Sequence, residues 1–274
     1  MANIRFRKNS SYVSGQKIKF LGGTGQISTK NIGGGSGLRP LIDANHIHVW
    51  NCDETSGTTL VDSVGGANLT INGTSGVDYT LGEQPGGSSV PFIRGLNAAT
   101  SYVMAQSTGL NVSTSAITLE YVVRMTELPG GLDYRFISRI ESEAPNPIHG
   151  AYSGFITYTG QLGYGGTFKE GNNSYTSITG YINSVPNPTI NTTYHMMFTY
   201  DANDSNNVKF YINGVLAANE QQEQVTGNLS NMTKFTLGGT SGYNYSIAGY
   251  VRDVRVSNIA RDATYGLAAY AALV

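Results

Sequence analysis

Carboxylates, imidazoles, hydroxyls and thiols are the side chains that could carry chemistry in this 274-residue chain, and their spacing limits which chemistry. A hydrolase that works through two carboxyls needs them about 5 Å apart. Glu141 and Glu143 are two apart and share a strand face, but they stand at a strand's end before Ala144-Pro-Asn-Pro147, where solvated loop acids are expected. Glu120 stands alone on its strand, with Thr118 and Val122 on the same face. His46, His48, His149 and His195 make no His-Glu-x-x-His pattern. His46 and His48 put two imidazoles on one strand face, half of a zinc site if a third ligand converged and otherwise an exposed face, which is the expectation. There is no Gly-x-Ser-x-Gly elbow. The single cysteine, Cys52, excludes an intramolecular disulfide and any multi-cysteine metal site. Beside Trp50 it reads as a small buried apolar side chain. The expectation is a protein that is not an enzyme, with no catalytic residues, no metal ligands assigned and no required cofactor.

Strands must position whatever these residues do. Val208, Phe210 and Ile212 alternate with Lys209 and Tyr211, the period of a half-buried strand. Asn213-Gly214 follows, a pair suited to a two-residue type I′ turn, and Val215 to Ala218 should fold back on the first strand. Further strands are expected at Ala116–Met125, Asp133–Ile140, Gly154–Tyr158, Tyr194–Asp201, Lys234–Gly239 and Ser246–Ser257. In the last of these Ala248, Tyr250, Val254 and Val256 would share a face, interrupted by Arg252. Asn172–Thr179 and Asn183–Asn191 read as long loops, and the Ala-rich end from Arg261 to Leu273 as one or two helical turns. No repeat of 20–50 residues is evident.

Only 13% of residues are charged, while Gly numbers 35 and Tyr 18, a mixture that suits many strands joined by turns. The first ten residues lack the apolar core of a signal peptide, and no run of about 18 apolar residues could span a membrane, so membrane insertion is not expected. The net charge of −1 hides an asymmetry. Residues 1–42 hold seven basic residues and no acid, leaving 10 of the 17 basic residues and all 18 acids, hence −8, for the remainder. Two alternating pieces lie in that arm, Ile4-Arg5-Phe6-Arg7 followed by Lys8, and Lys17-Ile18-Lys19-Phe20. Each sets apolar residues against cations, as a strand added to a partner's sheet edge would. Leu21–Gly25 and Ile32–Gly37 are Gly-rich linkers that lack the Gly-Lys-Ser/Thr ending of a phosphate loop. The expected division is a basic anchoring arm, 1–40, and a globular domain, 41–274.

The opening of that domain, His46 to Gly66, resembles the laminin G-like domain of the concanavalin A-like lectin/glucanase superfamily: Trp50, Asp53, Glu54, Ser56, Gly57, Asp62 and Ser63 match its aromatic strand, Asp-Glu-x-Ser-Gly and Asp-Ser turn. Ala116–Met125 is similar to the family's central strand, with Tyr121-Val122 where a tryptophan usually stands. Tyr194–Asp201 with Val208–Val215 looks like its hairpin, and Phe235–Gly239 and Gly249–Val256 like its closing strands, so the likeness runs over about residues 46–270. It implies an all-β, two-sheet antiparallel jelly roll. Glucanases of the superfamily carry a Glu-x-Asp-x-x-Glu trio, which this chain lacks. Lectins of this type hold sugars with aromatic and Asn/Asp side chains on edge loops; here Asp133, Tyr134, Asn172, Asn173, Tyr175, Tyr243, Asn244 and Tyr245 are the expected contacts. The superfamily also suggests a structural calcium, with Asp53, Asp62 and Asp253, or equally Asp201 or Asp204, as donors. Modules of this short, Gly/Tyr-rich kind resemble those on bacteriophage heads and tails. The expectation is therefore a homo-oligomeric virion protein, joined to other virion or assembly proteins through its arm and displaying a lectin-like domain to cell-surface glycans. Nucleic acid is not an expected partner. A free carbohydrate-binding module and a glycoside hydrolase are the alternatives.

Overall fold

Apolar residues recurring at every second position give two facing sheets. The computed structural model describes residues 7–8, 11–12, 39, 41–96, 104–127, 135–141, 150–156, 162–170, 174–181, 189–220, 229–239 and 247–273. In chain order its strands begin with β1 (Arg7–Lys8), β2 (Ser11–Tyr12), β3 (His46–Trp50), β4 (Thr59–Leu60), β5 (Leu69–Ile71), β6 (Tyr79–Glu83) and β7 (Phe92–Gly95). The middle of the chain gives β8 (Ala105–Ser107), β9 (Val112–Thr114), β10 (Ala116–Met125), β11 (Arg135–Glu141), β12 (Gly150–Ile156), β13 (Leu162–Glu170) and β14 (Ser174–Tyr181). It closes with β15 (Thr193–Asp201), β16 (Val208–Ile212), β17 (Val215–Glu220), β18 (Leu229–Met232), β19 (Lys234–Leu237), β20 (Gly249–Ser257) and one helix, α1 (Ala263–Ala271).

The front sheet runs β17-β16-β15-β10-β20-β7-β6, with β3 also paired to β20, and the back sheet runs β14-β13-β12-β11-β19-β8-β5-β4. The pairings between the strands are antiparallel, and the architecture is a jelly-roll sandwich. In β10, Ile117, Leu119, Tyr121, Val123 and Met125 face the core, and in β15 Met196, Phe198 and Tyr200 do the same. Trp50 ties the sheets together: its ring stacks on Phe235 of β19 at 4.7 Å, and its indole N–H donates to Ala67 O at 2.8 Å. Such an aromatic pair adds about 0.5–1.5 kcal/mol beyond the area it buries. Cys52, next to it, is buried as expected, though it sits at φ 57°, a left-handed position that its spacing did not announce.

The β16–β17 hairpin forms as its sequence requires, with Asn213 at φ 53° and Gly214 at φ 76°. The C-terminal helix is capped by Asp262, whose side chain accepts from Tyr265 N.

Two expectations change. From Ser174 onward the stretch expected as a long loop from Asn172 to Thr179 is strand, with β14 paired to β13 from Gly163↔Tyr181 to Glu170↔Ser174, while Asn172 and Asn173 lie outside the described residues. The Tyr, Thr and Ile residues of β14 are strand formers, and the glycines of β13 masked the alternation. Tyr250 and Val254 do not share a face. Asp253 adopts φ 50°, and the register against β10 steps from Glu120↔Arg255 to Val122↔Arg252, so two residues of β20 oppose Tyr121. Val251, Val254 and Val256 therefore reach the core, while Tyr250, Arg252 and Arg255 lie on the outer face. In the arm, Arg7-Lys8 pairs with Ser11-Tyr12 as a short two-stranded ribbon. Arg5, Phe6 and the Lys17–Phe20 piece lie outside the described residues.

Candidate functional site

The bulge at Asp253 loads the outer face of the front sheet with charge. Arg255 is fully buried, its Nε 3.6 Å from Glu120 Oε1 and its Nη2 3.8 Å from Asp253 Oδ1. Asp253 also contacts Arg252 and lies 3.6 Å from Arg39, which reaches Asp53 at 2.8 Å. Arg252 in turn lies over the ring of Phe92 at 4.9 Å.

Glu120 sits at the centre of this layer, 2% exposed. Tyr265 of α1 donates its hydroxyl to Glu120 Oε1 at 2.9 Å, and His195 Nε2 lies 3.6 Å from Oε2. Burial alone would raise this carboxyl, but His195, Arg255 and Tyr265 together hold it at about 2. The Tyr265 oxygen lies 3.1 Å from His46 Nε2, and His46 Nδ1 accepts from Asp43 N at 3.0 Å. The same Nδ1 lies 3.0 Å from Asp43 Oδ1, and burial pushes the His46 pKa down. Arg261 closes the set, binding both oxygens of Asp43 at 2.6 Å and lying 4.3 Å over the Tyr265 ring. That pairing holds the Asp43 carboxyl well below the usual range.

His46 and His48 do not share a face. The β3–β20 register slips between Val256↔His48 and Ser257↔His46, which sends His46 outward to Glu120 and leaves His48 stacked on Trp50 at 5.5 Å. Both are buried, so the expected exposed face is corrected. His48 Nδ1 donates to Asp62 Oδ2 at 2.7 Å, and the backbone N–H groups of Val49, Val64, Gly65 and Ala67 donate to the same carboxylate. Burial works against that anion, but these five donors outweigh it and lower its pKa.

Asp62 is saturated by N–H donors, and Asp53 and Asp253 face Arg39. Among the described residues no group of three or more His, Cys, Asp or Glu side chains is placed to hold a metal ion.

Next to the α1 N-terminus the sheet face opens. A polar groove of about 200 Å³ has its floor on β15 and β16 (Thr199, Asp201, Lys209 and Tyr211). The hairpin loop, with Asp204, Asn206 and Asn207, forms one wall, and Ala260, Arg261 and Asp262 form the other. Asp201 Oδ1 accepts from Asn203 N at 2.9 Å, and Asp204 accepts from Asn206 N at 2.9 Å and from Lys209 at 2.5 Å. The lysine contact lowers the Asp204 pKa and raises that of Lys209.

Of the expected sugar contacts, Asp133, Tyr134, Asn172, Asn173, Tyr243, Asn244 and Tyr245 lie outside the described residues, and Tyr175 is placed on β14. Asp201 and Asp204, weighed as calcium donors, instead line the groove. Its far wall, and the partners of Glu120, come from residues distant in sequence and left no local signal.

The chain belongs to the concanavalin A-like lectin/glucanases superfamily, whose laminin G-type profile matches residues 97–264. No curated protein matches it in sequence. Among solved structures, the binding domain of Paraclostridial Mosquitocidal Protein 1 is similar with a TM-score of 0.61 at 14% identity, over 82% of this chain and 52% of that one. The botulinum neurotoxin serotype G binding domain gives 0.56 at 16% identity, over 82% and 50%. Trypanosoma rangeli sialidase in complex with the inhibitor DANA gives 0.56 at 13% identity, over 85% and 35%. At such identities the likeness is one of fold, and the chain spans between 35% and 52% of those three proteins.

Proposed function

We propose that the chain is a non-enzymatic recognition protein: a lectin-like domain that binds glycans, attached through its basic arm to other virion or assembly proteins as a bacteriophage head decoration or tail component. The observation that carries the non-enzymatic reading is the closure of the front sheet over Glu120. This carboxylate is held ionised beneath Tyr265 and among arginine and histidine, where no sugar reaches it. A glycosidase needs one carboxyl raised to act as an acid. Among the described residues the carboxyls with resolved shifts, Asp43, Asp62, Glu120 and Asp204, all move down. Superfamily membership and the open polar groove support binding. The charge of the arm, opposite to that of the rest of the chain, supports attachment and association between copies.

A glycan array on the full chain, with calcium and with chelator, tests this. Binding of one glycan class without turnover is the expected result, and calcium dependence would identify a structural ion. Loss of particle association on deleting residues 1–40, with sugar binding unchanged, distinguishes the anchored protein from a free module. Hydrolysis of a bound glycan would overturn the reading.

A further inference from the structure

We propose that the groove between the β15–β16 loop and the N-terminus of α1 is the sugar-contacting site, and that it takes a single non-anionic pyranose ring, neutral or amino-substituted. The inference rests on the recognition role argued above and adds its location and ligand class.

Unmet hydrogen-bonding capacity points to a ligand. Thr199 and Tyr211 are 2% and 5% exposed and both line the groove. Among the described residues neither hydroxyl has a hydrogen-bond partner. Neither is among the buried atoms left without a partner, so both hydroxyls open onto the groove, where a ligand hydroxyl could take the place of water. The carboxylates are half used in the same way. Asp201 Oδ1 accepts from Asn203, and Asp262 Oδ1 caps Tyr265 N at 2.9 Å, whereas no hydrogen bond among the described residues reaches either Oδ2. Two carboxylate oxygens and two hydroxyls thus converge where a ring with vicinal hydroxyls could donate to the former and accept from the latter.

Charge sets the class. Asp201, Asp204 and Asp262 face the groove against Lys209 and Arg261. Lys209 is held by Asp204, and Arg261 is clamped by Asp43. Among the described residues lining the groove no cation is left for a carboxylated or sulfated sugar, while an ammonium would be welcome. Size sets the length. The volume, about 200 Å³, lies below the ~300–1,000 Å³ typical of drug-sized ligands, which suits one ring and not an embedded chain.

The test is calorimetric titration of the full chain with methyl glycosides of glucose, galactose, mannose, N-acetylglucosamine, glucosamine and N-acetylneuraminic acid. At least one non-anionic glycoside should bind, and the sialoside should not. Asp201→Asn and Asp262→Asn keep the Oδ1 acceptor that each local turn or cap needs, and Thr199→Val keeps the shape without the hydroxyl. Each should weaken binding about tenfold while the melting temperature of the aspartate variants stays put. Unchanged affinity in all three would place the sugar elsewhere, sinking the groove but not the recognition role. Sialoside binding that these variants abolish would overturn the ligand class. A chain silent toward every glycoside and toward a broad array would overturn both the groove and the recognition role.

Discussion

Tyr265 on α1 donates its hydroxyl to Glu120 on β10 across 145 residues of sequence, at 2.9 Å. This bond, with the Arg261–Asp43 clamp beside it, fixes the helix on the outer face of the front sheet. Two consequences follow from one placement. The acid is buried from solvent, and Asp262, the helix N-cap, is brought to the wall of the groove.

Tyr265→Phe should cost about 1–3 kcal/mol, the usual penalty for leaving a buried charged acceptor without its donor. Urea unfolding followed by the fluorescence of the single Trp50 measures it. A cycle with Glu120→Gln should show coupling above about 0.5 kcal/mol, since the two groups touch. Additive effects would mean the helix is held by its other contacts.

Acid should destabilise the fold, and the sign is the same at four groups. Glu120 falls from 4.5 to about 2 in the folded protein, and Asp43 and Asp62 fall from 3.8. Each contribution is complete above the ordinary carboxyl value and is lost as pH drops through the folded one. His46 is also lowered, from 6.5, so protons go first to the unfolded chain and its contribution fades as pH falls below that value. Stability should be level near pH 7 and decline from about pH 6.5 downward, with Glu120 worth on the order of 3 kcal/mol. A stability maximum near pH 4 would contradict this.

Local signals were legible and distant ones were not. The alternation of Val208–Ile212 and the Asn213-Gly214 turn are complete within ten residues, and both appear as expected. The superfamily showed through ordered motifs of the same kind. By contrast, Glu120 reads as a solitary acid because its partners stand at 46, 195, 255 and 265, on elements that only the fold brings together. The bulge at Asp253 inverts the alternation around it, and period-2 reasoning carries no warning of an extra residue. The same holds at β3, where a register slip separates His46 from His48. Asp201 and Asp204 were visible as loop acids, but not the wall facing them at 260–262.

Asp62→Asn should be among the most damaging single changes in the opening loop. The carboxylate gathers His48 and four backbone N–H groups, so an amide would turn an N–H toward donors at one of its two positions. A loss of about 3 kcal/mol is expected, the scale of breaking a buried charged network. The His48 imidazole stacks on Trp50, so the indole emission of the folded variant should shift as well. Unaltered stability would mean the loop is held by its backbone alone.

Gly214→Ala separates backbone strain from helix displacement. At φ 76° any side chain is disfavoured by about 1–2 kcal/mol, and here an added Cβ would also lie 2.6 Å from the Cα and N of Leu267 in α1. Neither group is the end of a flexible side chain, so the helix must move, straining the Tyr265–Glu120 bond. Gly57→Ala is the control, with φ 91° and nothing within 4 Å of its added Cβ. The control should lose only the backbone cost. Gly214→Ala should lose about 3 kcal/mol or more and raise hydrogen exchange across Ala263–Ala271. Equal losses in the two variants would show that the hairpin and helix yield to each other freely, and that Leu267 does not bear on the turn.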